Sequence, residues 1–190
     1  CARDLQKQDY HVISVIGDGA LTGGMAYEAL NNASSLKKNF IIILNDNEMS
    51  ISENVGGISS YLSNMRTAES YHGLKTGVKN GLNKIPGIGP AAVKRIHKTK
   101  DSIKRLVIPG MFFEDMGLTY LGPVNGHDCS RMIQVFQEAK KVQGPVLIHV
   151  KTEKGRGYEP AMRHPARFHG TSAFDLEHGL PLSSSGKANY

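Results

Sequence analysis

Two apolar runs of five residues, 12–16 and 40–44, flank a segment in which Met25, Ala26, Ala29, Leu30 and Ala33 recur at helical spacing. Apolar runs of that length, joined by a helix, suit parallel strands buried on both faces. The first run breaks at Gly17-Asp18-Gly19 and the second stops at Asn45-Asp46-Asn47. Asp18 and Asn47 are therefore both predicted to lie just past the carboxyl end of a strand. The helix between them is predicted to open at Thr22, with its first turn aimed at Asp18, Gly19 and Ala20. A helix amino end offers free N–H groups and a positive dipole end, which together suit a phosphate.

Farther along, residues 48–64 are polar and glycine-bearing and read as a loop that folds over a ligand. The stretch 66–105 reads as a short helix, a basic stretch punctuated by glycine, a turn at 85–90, and a helix over 91–107 with an incomplete apolar stripe. Regularity returns with a helix end at 111–117, a short strand at 118–121 and a loop at 122–128. A helix over 129–142 is predicted to bury Met132, Ile133, Val135, Phe136 and Ala139, with Asp128 as its N-cap. A strand at 145–150 then leads into a loop at 151–160, and 161–190 reads as an irregular arm or linker. The loops GDGA, NDNEMS, NGHD and KGRGY each follow a strand. In an open parallel sheet they share one edge, where ligands bind. The expected fold class is α/β, an open, mostly parallel sheet flanked by helices.

Composition adds a boundary and an asymmetry. With 190 residues, 39% of them hydrophobic, the chain can bury a sizeable core. No apolar run approaches the roughly eighteen residues of a membrane span. Cys1 and Cys129 are the two cysteines and lie far apart, which argues for a reducing compartment and against a disulfide framework. The net charge of +6 is concentrated between Arg66 and Arg105, where ten Lys or Arg meet two acidic residues.

The chemistry follows from an acid set inside a glycine turn. Glycines at 17 and 19 let the backbone approach a diphosphate, but the Asp18 carboxylate repels one unless a divalent cation stands between them. Asp18, the Asn47 side-chain oxygen and a backbone carbonyl near Met49 are hard oxygen donors of the kind Mg²⁺ takes. A dinucleotide fingerprint fails, because G-x-G-x-x-G counted from Gly17 meets Thr22 where its third glycine belongs.

Gly17-Asp18-Gly19 followed by Asn45-Asp46-Asn47 resembles the thiamin diphosphate motif of the transketolase-like enzymes. NDNEMSISENVGG, FFEDMGLTYLGPVNGHD and KGRGYEPA are similar to the 1-deoxy-D-xylulose-5-phosphate synthase family over nearly the whole chain. The resemblance implies Mg²⁺ held by Asp18, Asn47 and the Met49 carbonyl, with Gly19, Ala20 and Asn47 on the thiamin diphosphate. It places Tyr158 in the cofactor cleft, Lys154 as a phosphate contact and His169 near the substrate as a catalytic residue. His127 is expected to stabilise its loop, and Asn125 stands where the family usually carries Asp. The implied reaction condenses pyruvate with glyceraldehyde 3-phosphate with loss of CO₂, in a homodimer in the bacterial cytoplasm, with a plastid as the alternative.

The resemblance also implies that residues 1–160 are part of a thiamin diphosphate-binding domain carrying a basic insertion at 66–108. That domain is incomplete at its amino-terminal side. Cofactor-side histidines and the glutamate that activates the aminopyrimidine ring belong to family segments outside these residues, so the chain alone is expected to be inactive. A different class of function is offered by residues 85–105, whose IPGIGPAAVKRI run resembles the hairpin of helix-hairpin-helix modules. Ten basic residues around it make nonspecific nucleic-acid binding the alternative reading.

Overall fold

A computed structural model of the chain describes residues 2–49, 56–67 and 110–182. Four parallel strands form one sheet in the order β1-β2-β4-β3, with β1 at Ile13–Gly17, β2 at Phe40–Asp46, β3 at Thr119–Asn125 and β4 at Pro145–Lys151. The registers Gly17↔Asn45 and Asp46↔Lys151 bring the carboxyl ends of the first, second and fourth strands level. The four polar loops accordingly share the expected edge.

Helices α1 (Ala2–Leu5), α2 (Gly24–Leu36), α3 (Gly57–Thr67), α4 (Met111–Asp115), α5 (Cys129–Ala139) and α6 (Glu159–Arg163) complete the described elements. On one face of the sheet, α2, α3 and α4 cover Ile42, Leu44 and Leu147 with Leu30, Leu62, Met65 and Phe113. On the other face, Val135 and Ala139 of α5 pack on Ile41, Val146 and Ile148. Burying side chains of this size contributes about 1.5–3 kcal/mol each, so these two layers hold the strand ends in place. Strand β1 is an edge, and its Ile13 and Val15 stay exposed.

Several expectations need correction. The predicted helix at Thr22 begins instead at Gly24, because Asp18–Thr22 winds into a 3₁₀ turn and Gly23 is extended at φ −106°, ψ 154°. In α2, Met25 faces solvent and Leu30 and Ala33 carry the burial. Residues 57–67 are helical rather than loop; Ile58, Tyr61, Leu62 and Met65 form an i, i+3, i+4, i+7 stripe against the core. Ile133, expected inside, is exposed, while Asp128 caps α5 as predicted, accepting from the Arg131 N–H at 2.9 Å. Strand β3 runs on through Asn125, past the expected end at Leu121.

Candidate cofactor site

Asp18 follows β1 directly and Asn47 follows β2 directly, so each sits at the sheet's carboxyl edge. Asp18 is 3% exposed. Burial, and then the neighbouring Asp46 carboxylate, push its carboxyl above the usual range, against the pull of the Gly19 N–H. Gly19 and Ala20 lie in the 3₁₀ turn, where the Gly19 carbonyl accepts from the Thr22 hydroxyl at 2.7 Å and the Ala20 carbonyl from the Gly23 N–H at 3.3 Å. That turn, and not α2, presents its amino end at Asp18.

Asp46 is 1% exposed and belongs to a set of polar side chains the sequence analysis did not single out. Its Oδ2 lies 2.7 Å from His149 Nε2, its Oδ1 accepts from Arg66 Nη1 at 2.8 Å, and His149 Nδ1 meets the Tyr120 hydroxyl at 2.8 Å. Burial alone would raise Asp46, but the hydrogen bonds from His149 and Arg66 outweigh it and hold the carboxyl below its ordinary range. Burial pushes the Tyr120 phenol up, so it stays protonated. Arg66, which the charge count grouped with a basic segment, also reaches Glu48 Oε1 at 3.0 Å. A signal was present at one of these positions: His149 interrupts an otherwise apolar run, VLIHV.

A cleft of about 610 Å³ opens on this edge, lined among others by Asn47, Met49, Arg66, Asn125, Lys151 and Lys154. A second cavity of about 10 Å³, the size of a single small sphere, is lined by Asp18, Thr22, Asp46 and Glu48. Glu48 borders both, so the Asp18 side and the Asn47 side adjoin. Asn47 Oδ1 accepts from the Met49 N–H at 3.0 Å, which leaves that amide oxygen a second lone pair for a cation. Among the described residues no group of three His, Cys, Asp or Glu is arranged to hold a metal. Asp18, the Asn47 amide oxygen and a carbonyl near Met49 suit a hard cation that takes further anionic oxygens from its own ligand. Two buried carboxylates side by side, with Lys and Arg along the adjoining cleft, fit a cation bound together with a diphosphate.

The remaining site residues divide. Lys154 lines the cleft and its Nζ lies 2.7 Å from His169 Nδ1, so His169 is tied to the cleft wall although it is exposed. Tyr158 is not among the lining side chains. Its ring packs with Phe168 and Phe174 at centroid distances of 5.7 and 5.9 Å, and its hydroxyl donates to the Leu176 carbonyl at 2.9 Å. His127 joins two loops, its Nε2 accepting from the Glu153 N–H at 2.8 Å, while Asn125 Oδ1 accepts from the His127 N–H at 2.9 Å. An Asp at 125 would present the same acceptor. Gly126 allows this approach, since a Cβ there would stand 2.6 Å from Val150 Cγ1. Cys129 is a free, exposed thiol.

Comparison with known proteins gives one direction. The family profile described as 1-deoxy-D-xylulose-5-phosphate synthase matches residues 1–152. Curated proteins named 1-deoxy-D-xylulose-5-phosphate synthase are similar over 189 residues: one from Lachnoclostridium phytofermentans at 52% identity and one from Caldanaerobacter subterraneus subsp. tengcongensis at 56%. Each match takes in 100% of this chain and 30% of the relative, so the chain spans less than a third of the relatives' length. Among solved structures, a transketolase from Campylobacter jejuni shares the fold with a TM-score of 0.52 at 25% identity, over 87% of this chain and 20% of that one. The nucleic-acid alternative at 85–105 lies outside the described residues, and the synthase profile runs through that same segment.

Proposed function

The chain belongs to the 1-deoxy-D-xylulose-5-phosphate synthase family, and we propose that it is the part of such an enzyme that anchors thiamin diphosphate through Mg²⁺. The intact enzyme condenses pyruvate with glyceraldehyde 3-phosphate to 1-deoxy-D-xylulose 5-phosphate and releases CO₂. When bound, thiamin diphosphate supplies the electron sink and Mg²⁺ neutralises and anchors its diphosphate.

The chain's own residues do the binding. Asp18 and Asn47 hold the metal by side-chain oxygens and Met49 by its carbonyl, while the N–H groups of Gly19 and Ala20 face the diphosphate. Lys154 contributes a cation to the anionic ligand and orients His169 toward the substrate side. Tyr158 belongs to the cofactor cleft, with its ring held by Phe168 and Phe174. Residues 1–160 form part of the cofactor domain, and the working enzyme is a homodimer of the bacterial cytoplasm.

The observation that carries this reading is the buried Asp18 beside the buried Asp46 at the carboxyl edge of the sheet, a pair that a bound cation relieves. The test is product formation from pyruvate and glyceraldehyde 3-phosphate by the intact enzyme bearing these residues. Turnover that requires both thiamin diphosphate and Mg²⁺, lost in Asp18→Ala and kept in Lys94→Ala with Arg95→Ala, supports it. Salt-sensitive DNA binding lost in the Lys94/Arg95 double variant, with no cofactor dependence, contradicts it.

A further inference from the structure

The loop that carries Asn47 and Met49 adopts a costly backbone shape. Glu48, a long side chain on an L-residue, sits at φ +64°, a region that non-glycine residues seldom enter and that persists only where the surroundings impose it. Four bonds impose it here. Asp46 Oδ1 accepts from the Glu48 N–H at 3.3 Å and from Arg66 Nη1 at 2.8 Å. The Asp46 carbonyl accepts from the Thr152 N–H at 2.9 Å and from Arg66 Nη1 at 2.7 Å.

The two bonds to Oδ1 form only while the Asp46 carboxylate is turned one way. The group that sets its rotation is His149, whose Nε2 holds the other oxygen, Oδ2, at 2.7 Å. His149 is 0% exposed and is itself held, by the Tyr120 hydroxyl at Nδ1. Tyr120 cannot shift away from it. Phe113 stacks on its ring at 6.1 Å and 2°, and Gly110 packs so closely that a Cβ there would lie 2.3 Å from that ring.

Packing alone does not call for this arrangement. The neighbouring inward positions on the same strands are Leu44 and Leu147, and apolar residues at 46 and 149 with phenylalanine at 120 would bury as well without the cost of polar groups. A buried pair of this kind commonly adds little stability over an apolar replacement, so its effect is sought in geometry.

We propose that His149 is a positioning residue for the metal site: through Tyr120 on one side and Asp46 on the other, it sets the 46–49 loop so that Asn47 and Met49 face the cation. This deepens the thiamin diphosphate reading and rests on it. Groups that orient metal ligands from one bond away typically change metal affinity about 10–100-fold when removed.

The experiment is a titration of Mg²⁺ into the intact enzyme at fixed thiamin diphosphate, following cofactor binding by calorimetry, with the thermal midpoint measured in parallel. His149→Leu is expected to raise the half-saturating Mg²⁺ concentration about 10–100-fold. His149→Gln, which keeps an N–H donor for Asp46, should restore most of it. Tyr120→Phe removes a single hydroxyl and keeps the ring, so it serves if the leucine variant does not fold; a rise of about threefold or more is expected from it. An unchanged Mg²⁺ requirement in both His149→Leu and Tyr120→Phe, with only the thermal midpoint lowered, overturns the positioning role and leaves the cofactor reading intact. Wild-type binding that ignores Mg²⁺ overturns both.

Discussion

Arg66 Nη1 lies 2.8 Å from Asp46 Oδ1 and 2.7 Å from the Asp46 carbonyl, so the last turn of α3 is fastened to the end of β2. Lys151 Nζ closes the same joint from β4, donating to the Arg66 carbonyl at 2.6 Å. Removing Arg66 leaves a buried carboxylate short of its cationic partner. Arg66→Ala is expected to destabilise by about 3 kcal/mol, read from the urea midpoint at unchanged slope. Arg66→Lys should recover little, because an ammonium cannot reach the carbonyl, Asp46 and Glu48 together.

Asp18 predicts a gain in stability at the expense of binding. Folding raises its carboxyl above its ordinary value of 3.8, through burial and the adjacent Asp46. An acid raised on folding is favoured in its neutral form. Its ionised form therefore lowers stability at pH above the raised value, and the penalty vanishes below 3.8. Asp18→Asn should raise the melting temperature of the metal-free protein near neutral pH, with the gain fading as pH falls through that window. A gain independent of pH would show that the carboxylate's charge is not its source.

The cap on α5 offers a local test. Asp128 accepts from the Arg131 N–H at 2.9 Å, and Asp128→Ala should cost about 1 kcal/mol. Asp128→Asn keeps an acceptor and should cost only a few tenths of that. Thermal unfolding of the two variants separates the hydrogen bond from the charge.

The arm after β4 is held by a small aromatic cluster. Phe168 meets Tyr158 at 5.7 Å and Phe174 at 5.2 Å, both edge to face. Two such pairs at about 1 kcal/mol each put the cost of Phe168→Ala near 2 kcal/mol. Because the contacts are local, the loss should appear as faster proteolytic cleavage within 160–182 while the sheet stays folded.

Much of the architecture is legible in the chain because β2 and β4 are buried on both faces and so read as apolar runs, interrupted in β4 by His149. Asp18 and Asn47 are placed at the sheet's carboxyl edge by sequence because polar residues end an apolar run: Asp18 is the first polar side chain after 12–16, and Asn47 is the last of the Asn45-Asp46-Asn47 stop after 40–44. Helix α3 is hidden because Ser60, Ser63 and Asn64 fill its exposed side, and serine and asparagine read as turn formers. The Tyr120–His149–Asp46 chain is hidden more deeply. Its members come from three strands, and only the sheet order β2-β4-β3 makes them neighbours. The packing of Tyr158 with Phe168 and Phe174 is hidden as well, because those partners lie in a stretch with no clear period.

The most direct measurement is the dissociation constant of thiamin diphosphate for the intact enzyme and its Asp18→Asn form, with Mg²⁺ and with Mg²⁺ chelated. If Asp18 is half of a metal-diphosphate clamp, chelation weakens the wild type by about 100-fold or more, and Asp18→Asn is weak in both conditions. Equal affinity of the two proteins in Mg²⁺, or wild-type affinity that survives chelation, would contradict the clamp.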